Sequence, residues 1–307
     1  MTVAHAQEAY PTRAVRLVVP SAPGGGTDTS ARLIAPRLAA LLGQQVVVDN
    51  RAGAAAMLGT ESVARATPDG YTLLMGLSTM TIVPSTYKKV PFDPVKDFAP
   101  ISMVVVVPQL LVGHLSLPAK NVKELIALAK AHPGQLDYAA GGYGANPHMS
   151  MALFLMMTGT NMTYVPYKTG NAGLMDALAG RVPLMMSNLL VALPHVKTGR
   201  FRAYGVTSAK RASGVPDLPT LAEGGVPGYE AVQWFGVLAP AATPREIVMR
   251  LHRDLIQVMQ DEETRKRFIA DGGEPAYSKS PEEFTALIRS ERVKWAKVAK
   301  AAKIEPM

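Results

Sequence analysis

The chain of 307 residues contains no cysteine, which excludes a disulfide framework, thiolate metal ligation and a cysteine nucleophile. No apolar run reaches the roughly 18 residues a membrane-spanning helix needs. The six histidines (His5, His114, His132, His148, His195 and His252) form no metal-spaced pair on one helix. Neither a His-Glu-x-x-His sequence nor a Gly-x-Ser-x-Gly nucleophile elbow occurs. The sequence therefore predicts no metal and no cofactor.

What is present is a globular composition, 48% hydrophobic and 18% charged, in a chain long enough for two domains with a large core. Thirty-two Lys and Arg against 24 Asp and Glu give a net charge of +8, which suits an anionic ligand or an acidic surface. Much of that excess is local: Arg289, Arg292, Lys294, Lys297, Lys300 and Lys303 stand against Glu291 alone. Without interleaved aromatics this stretch reads as a solvated helix face and not as a nucleic-acid site. Near the N-terminus, Ala4-His5-Ala6 followed by Gln7-Glu8 reads as the small-x-small end of a secretory signal, so residues 1–9 are expected to be a signal remnant and flexible.

Two glycine loops carry the functional reading. Pro23-Gly24-Gly25-Gly26-Thr27-Asp28 follows the apolar strand Val15 to Val19 and precedes a helix-like run expected over Thr29 to Leu42, interrupted by Pro36 and closed by Gly43. Ala140-Gly141-Gly142-Tyr143-Gly144-Ala145-Asn146 follows a short strand at Leu136 to Ala139 and precedes Pro147-His148-Met149. Free N–H groups in the first turn of a helix, with the positive end of its dipole, favour an anion. Asp28 is read as the N-cap of the first helix, and Asn146 with Pro147 as cap and first position of the second. Neither loop has the Lys-Ser or Lys-Thr ending of a P-loop, nor the dinucleotide fingerprint, and each taken singly also reads as an ordinary strand-to-helix turn.

Strand and helix alternate from Val15 to Met75 and again from Val104 to Thr207, which argues for parallel sheets with helices on their faces. Val232 to Leu238 reads as a strand returning from the second unit, and Pro244 to Gln260, Glu263 to Asp271 and Pro281 to Ala301 as helices, with Thr243 and Ser280 as N-caps. The expected architecture is α/β and two-lobed with two chain crossovers. One lobe comprises residues 10–105 and 233–307, the other 106–232. Ligands of such sheets lie beyond the carboxyl ends of the strands, where both loops fall.

Side chains with access to such a cleft are Thr27, Ser78, Thr79, Tyr167, Lys168 and His148, with Trp234 and Phe235 as an apolar wall or simply as core. Asp28 is a possible general base, though a cap has first claim on its carboxylate. No nucleophile, base and orienter come together among them.

Longer segments resemble a known family. Tyr10-Pro11-Thr12-Arg13, the first glycine loop with Ala31-Arg32, Leu42-Gly43-Gln44, Asn50-Arg51-Ala52-Gly53-Ala54 and Pro68-Asp69-Gly70-Tyr71-Thr72-Leu73-Leu74 are characteristic. So are Asp97-Phe98-Ala99-Pro100, Val165-Pro166-Tyr167-Lys168, Leu193-Pro194-His195-Val196-Lys197, Val206-Thr207-Ser208-Ala209-Lys210-Arg211 and Trp234-Phe235-Gly236. From Tyr10 almost to the end, the chain is similar to the Bug-type solute-binding receptors of the tripartite tricarboxylate transporters. The resemblance implies a two-lobed periplasmic binding protein of the type II class, exported, non-enzymatic and monomeric. It would pass a small carboxylate to a membrane permease of a large and a small subunit. It further implies that Gly24 to Asp28 hold one carboxylate through N–H groups, hydroxyls and water, and that Gly142 to His148 contact the other side of the ligand. Where many relatives have Gly-Ser before the second helix this chain has Gly144-Ala145-Asn146, and where many have Met-Phe-Asp it has Met186-Ser187-Asn188. The second change removes an acidic side chain from the expected cleft edge, which places Ser187 and Asn188 among the candidate contacts.

Overall fold

The computed structural model describes residues 10–167 and 170–307. The expected signal remnant and Lys168 lie outside those residues. In chain order the first elements are β1 (Val15–Val19), α1 (Gly26–Leu42), β2 (Val46–Asn50), α2 (Met57–Ala64), β3 (Thr72–Leu77), α3 (Thr79–Thr86) and β4 (Phe98–Val107). The middle of the chain forms β5 (Gln109–His114), α4 (Val122–Ala131), β6 (Asp137–Gly141), α5 (Asn146–Thr158), β7 (Thr163–Tyr167), α6 (Gly170–Leu178), β8 (Leu184–Asn188), α7 (Leu189–Lys197) and β9 (Phe201–Val206). The last part supplies β10 (Gln233–Pro240), α8 (Arg245–Gln260), α9 (Glu262–Ala270), β11 (Glu274–Pro275) and α10 (Pro281–Ala301).

These strands form two sheets, one in each lobe. The first is six-stranded, in the order β11-β4-β10-β3-β1-β2, and the second five-stranded, in the order β7-β6-β8-β5-β9. β1 runs parallel to β2 and β3, and β6 parallel to β7 and β8, as strand-helix alternation requires. The chain leaves the first sheet at the end of β4, turns at Pro108 and enters the second as β5, antiparallel to β8 and β9. It returns as β10, antiparallel to β3 and β4. In the second sheet β5 alone runs against the other strands, and in the first β10 does, together with the two-residue edge strand β11, which is antiparallel to β4.

Both sheets are covered on both faces, so their strands are near-continuous apolar runs. The two-residue period divides them: Leu17, Val19, Leu73 and Met75 pack under α1 and α8, while Val18, Leu74 and Leu238 face the opposite core. In the second sheet Leu111, Tyr138 and Met186 join the core under α4 and α5, and Leu110, Ala139 and Met185 the core beneath α6 and α7. Each fully buried Val, Leu or Met in these layers contributes about 1.5–3 kcal/mol.

α1 buries Ala31, Ile34, Leu38 and Leu42, a helical spacing, and stops at left-handed Gly43, whose N–H bonds the Ala39 carbonyl at 2.9 Å. The helix runs through Pro36, which lies on the exposed side. There the carbonyl that loses its partner can be hydrated. Ser280 caps α10, accepting from Glu283 N–H with Pro281 in the first turn, as the sequence implies. Thr243 does not cap α8; its hydroxyl bonds the Pro240 carbonyl at 2.7 Å and the helix starts after Pro244.

α10 belongs to both lobes. Its first half places Phe284 and Ile288 against Trp234 and Leu238 of the first lobe. Its second half places Trp295, Val298 and Ala299 in the α4–α5 core of the second. Beyond it the chain runs back along the first lobe: Met307 N–H bonds the Thr86 carbonyl at 3.0 Å and its carbonyl accepts from Lys88 N–H at 2.8 Å.

Candidate functional site

Both glycine loops end β-strands at the carboxyl edge of their sheets. In the first, the N-cap of α1 is Gly25, extended at φ −76°, ψ 163°, with no side-chain cap. The helix therefore starts at Gly26, three residues before its expected start at Thr29, and Asp28 is not the cap but the third residue of the first turn. From there its carboxylate reaches back to accept from Gly24 N–H at 2.8 Å, one residue before the N-cap N–H that the acid of a capping box takes. Arg32 Nε (3.0 Å) and Asn50 Nδ2 (2.9 Å) complete its shell. Burial pulls its pKa upward, but the Gly24, Arg32 and Asn50 donors outweigh burial and hold it below the ordinary aspartate value.

The second loop has the same backbone. The N-cap of α5 is Ala145, at φ −74°, ψ 165°, so Asn146 is the first helical residue and not the cap. Its amide turns inward, accepting from Gln109 Nε2 and donating to Ser78 Oγ at 3.3 Å and to the Val232 carbonyl at 3.4 Å. Those partners sit where the chain crosses between lobes, which is the physical reason the side chain is unavailable to cap. His148, third in the turn, accepts from Gly144 N–H through Nδ1 at 3.0 Å, which leaves its proton on Nε2. Its ring stacks on Tyr164 with centroids 4.1 Å apart, and burial lowers its pKa to about 4. It is a neutral loop acceptor at pH 7 and offers no charge to a ligand.

Two concavities lie beside these loops. The larger, about 700 Å³, is lined from the first lobe by Pro20, Ser21, the turn Ala52 to Ala56, Leu77, Thr79, Val83 and Tyr87. The second lobe contributes Gly142 to Ala145, Pro166 and Tyr167, and Met307 closes one side. The smaller, about 410 Å³, is lined by Gly24 to Gly26, Thr29, Ser30 and Leu33 beside Val105, Val107, Phe235, Phe268, Asp271 and Gly273, with Asn188 and Val191 from the other lobe. The first and second loops thus face different concavities in this structure. Of the remaining candidates Pro23, Thr27, Asp28, Asn146 and His148 line neither, Ser78 is fully buried in the hinge, and Ser187 is buried within β8. Trp234 is core, and Phe235 both core and pocket wall.

The sequence reading missed several wall residues. Ala54, Ala55 and Ala56 all have positive φ (48°, 53° and 72°), a run that costs an L-residue about 1–2 kcal/mol each. No glycine or asparagine marks those three positions. Tyr87 and Met307 reach the cleft by tertiary packing alone, but Asn50-Arg51-Ala52-Gly53 did signal that the turn after β2 is special. Ser21 Oγ is buried on the cleft wall and has no hydrogen-bond partner among the described residues.

Residues 30–304 match the family model described as "Tripartite tricarboxylate transporter family receptor". The chain belongs to this receptor family. It is 35% identical over 295 residues to Protein BugT of Bordetella pertussis, covering 95% of this chain and 90% of that protein. Among solved structures, an R. palustris protein with adipate is 39% identical with a TM-score of 0.82, covering 97% of this chain and 100% of that one. MatC from Rhodopseudomonas palustris with bound malate is 31% identical with a TM-score of 0.78, covering 94% and 99%. The receptor therefore has the two-lobed α/β fold of the periplasmic binding proteins, with the two crossovers expected of the type II class.

Proposed function

We propose that this receptor captures a small organic carboxylate, a dicarboxylate or an aromatic carboxylate, between its lobes in the periplasm. It passes the ligand unchanged, as a monomer, to a permease of a large and a small subunit. The observation that carries this reading is the repeated loop: two helix N-termini of matching backbone, one from each sheet, each with first-turn N–H groups that no helix carbonyl can satisfy. Because Gly24 and Gly144 spend their N–H groups on Asp28 and His148, the donors left are those of Gly26, Thr27 and Asp28 on one side and Asn146 and His148 on the other. A ligand touching both loops requires the concavities to join. Residues 10–105 with 233–307 would then move as one body against 106–232, with α10 straddling them. The adipate and malate seen with two relatives support a carboxylate. Turnover is disfavoured because Asp28 and His148, the obvious proton carriers, are both held as acceptors by backbone.

A thermal-shift screen of mono-, di- and tricarboxylates tests this. A true ligand at 100 times its dissociation constant stabilises the protein by about 2.7 kcal/mol and is recovered intact. Absence of any shift, or conversion of the bound acid, overturns the reading. Loss of uptake on deleting a neighbouring permease gene tests delivery.

A further inference from the structure

The basic run near the end of the chain is more than a solvated helix face. Arg289, Val293 and Lys297 recur every fourth residue along α10 and so share one side of it. With Leu153 and Met156 of α5 they line a concavity of about 670 Å³, which has no lining residue in common with either concavity beside the glycine loops. Its hydrocarbon is open to water: Val293 is 55% exposed and Met156 43%, above a nearly buried Leu153. Its charged lining residues are Arg289, Lys294 and Lys297, with no acid among them. Lys294 is committed, donating to Glu291 Oε1 at 3.0 Å and to the Glu230 carbonyl at 2.8 Å. Arg289 and Lys297 are exposed and have no hydrogen-bond or ion-pair partner among the described residues.

Apolar surface rimmed by polar residues marks an interaction site, and a rim of one sign states the charge of what covers it. The shape selects a protein over a membrane. A bilayer surface is entered by side chains that stand out from a face, whereas Leu153 lies in a recess between two helices. A helix laying an apolar stripe into a groove reaches such a recess. No aromatic side chain lines the groove to stack a base, which disfavours a single-stranded nucleic acid.

We propose that the groove between α5 and α10 docks an acidic amphipathic helix of a partner protein. The apolar stripe of that helix packs on Leu153, Met156 and Val293, and its carboxylates pair with Arg289 and Lys297. Nothing in this docking depends on what the cleft holds.

The test is fluorescence anisotropy of the full chain with a labelled peptide of about 14 residues, with Leu at every third or fourth position and Glu between. The same peptide with Lys for Glu, and co-sedimentation with vesicles of phosphatidylcholine and phosphatidylglycerol, complete the set. The acidic peptide should bind with a dissociation constant of about 10–100 μM, at least about tenfold tighter than the basic one, and weaken several-fold as salt is raised. Arg289→Glu with Lys297→Glu should reverse the preference between the two peptides, and Val293→Asp should weaken the acidic peptide at least about fivefold. All three positions are exposed, so the melting temperature should hold. Equal binding of the two peptides, binding of neither, or an acidic-peptide affinity unchanged in these variants overturns the proposal. Retention on the vesicles without peptide binding assigns the face to a membrane and overturns it too. None of these results bears on carboxylate binding, which calorimetry on the same variants should find unchanged.

Discussion

The two glycine loops share a backbone and differ in charge. Each has a left-handed glycine (Gly24 at φ +80°, Gly144 at φ +67°), an extended cap, and a side chain four residues on that accepts the glycine's N–H. In the first loop that acceptor is an ionised aspartate balanced by Arg32; in the second it is a neutral histidine wedged against Tyr164. An acid in the first turn already draws on the positive end of its helix, so a ligand anion at α1 shares that field with Asp28. At α5 the field is unspent, but Pro147 removes one N–H. One turn geometry can therefore be stabilised by a charge or by a neutral ring, and the choice decides what is left over for a ligand.

The comparison is broken first by acid. His148 titrates from 6.5 unfolded to about 4 folded, so the unfolded chain takes up its proton first. The stability tied to neutral His148 is complete above pH 6.5 and is lost as pH falls through about 4, by roughly 3 kcal/mol. Asp28, with its pKa held below 3.8, keeps its contribution through that window and loses it only at lower pH. Denaturant unfolding at several pH values should show this slope in the native chain and a flattened one in His148→Gln.

Glycine replacement separates the loops next. A Cβ on Gly144 would lie 2.7 Å from Thr86 Cβ at a left-handed φ, so Gly144→Ala should cost about 2–3 kcal/mol of stability. A Cβ on Gly25 meets nothing nearer than 3.5 Å, and its counterpart Ala145 already carries one in the same conformation, so Gly25→Ala should change stability by less than about 0.5 kcal/mol. Equal losses in urea denaturation would contradict the comparison. In Gly25→Val the fold should survive while ligand affinity drops about tenfold, because the side chain blocks approach to the α1 donors; unchanged affinity in a folded variant removes this loop from the site. The smallest effect is that of salt. Capture by buried neutral donors should vary less than about twofold between low and high ionic strength, since screening acts on exposed charges. A steep dependence in calorimetry would point to exposed Lys or Arg contacts.

Much of this was legible in the sequence. The alternation of strand and helix, the two loops and the two crossings all follow from apolar runs punctuated by glycine and proline. Caps were not: Gly25 and Ala145 displaced Asp28 and Asn146 because an acceptor in the first turn can reach back, and because the hinge claims the Asn146 amide. α3 was missed as well. Its Thr-Met-Thr-Ile-Val-Pro composition is poor for a helix, and packing of Met80 and Val83 into the core overrides that preference. The wall formed by Tyr87, Met307 and the left-handed alanines depends on chain segments far apart in sequence, which no local pattern records.

The placement of α10 bears on the order in which the molecule can be finished. Trp295 fills one lobe and Phe284 the other, both fully buried, and both follow every strand of the two sheets in the sequence. A nascent chain that has produced both sheets still lacks a plug for each, so neither lobe can close its core ahead of its neighbour. Chains generally fold domain by domain from the N-terminus; here the last helix makes the two lobes mature together.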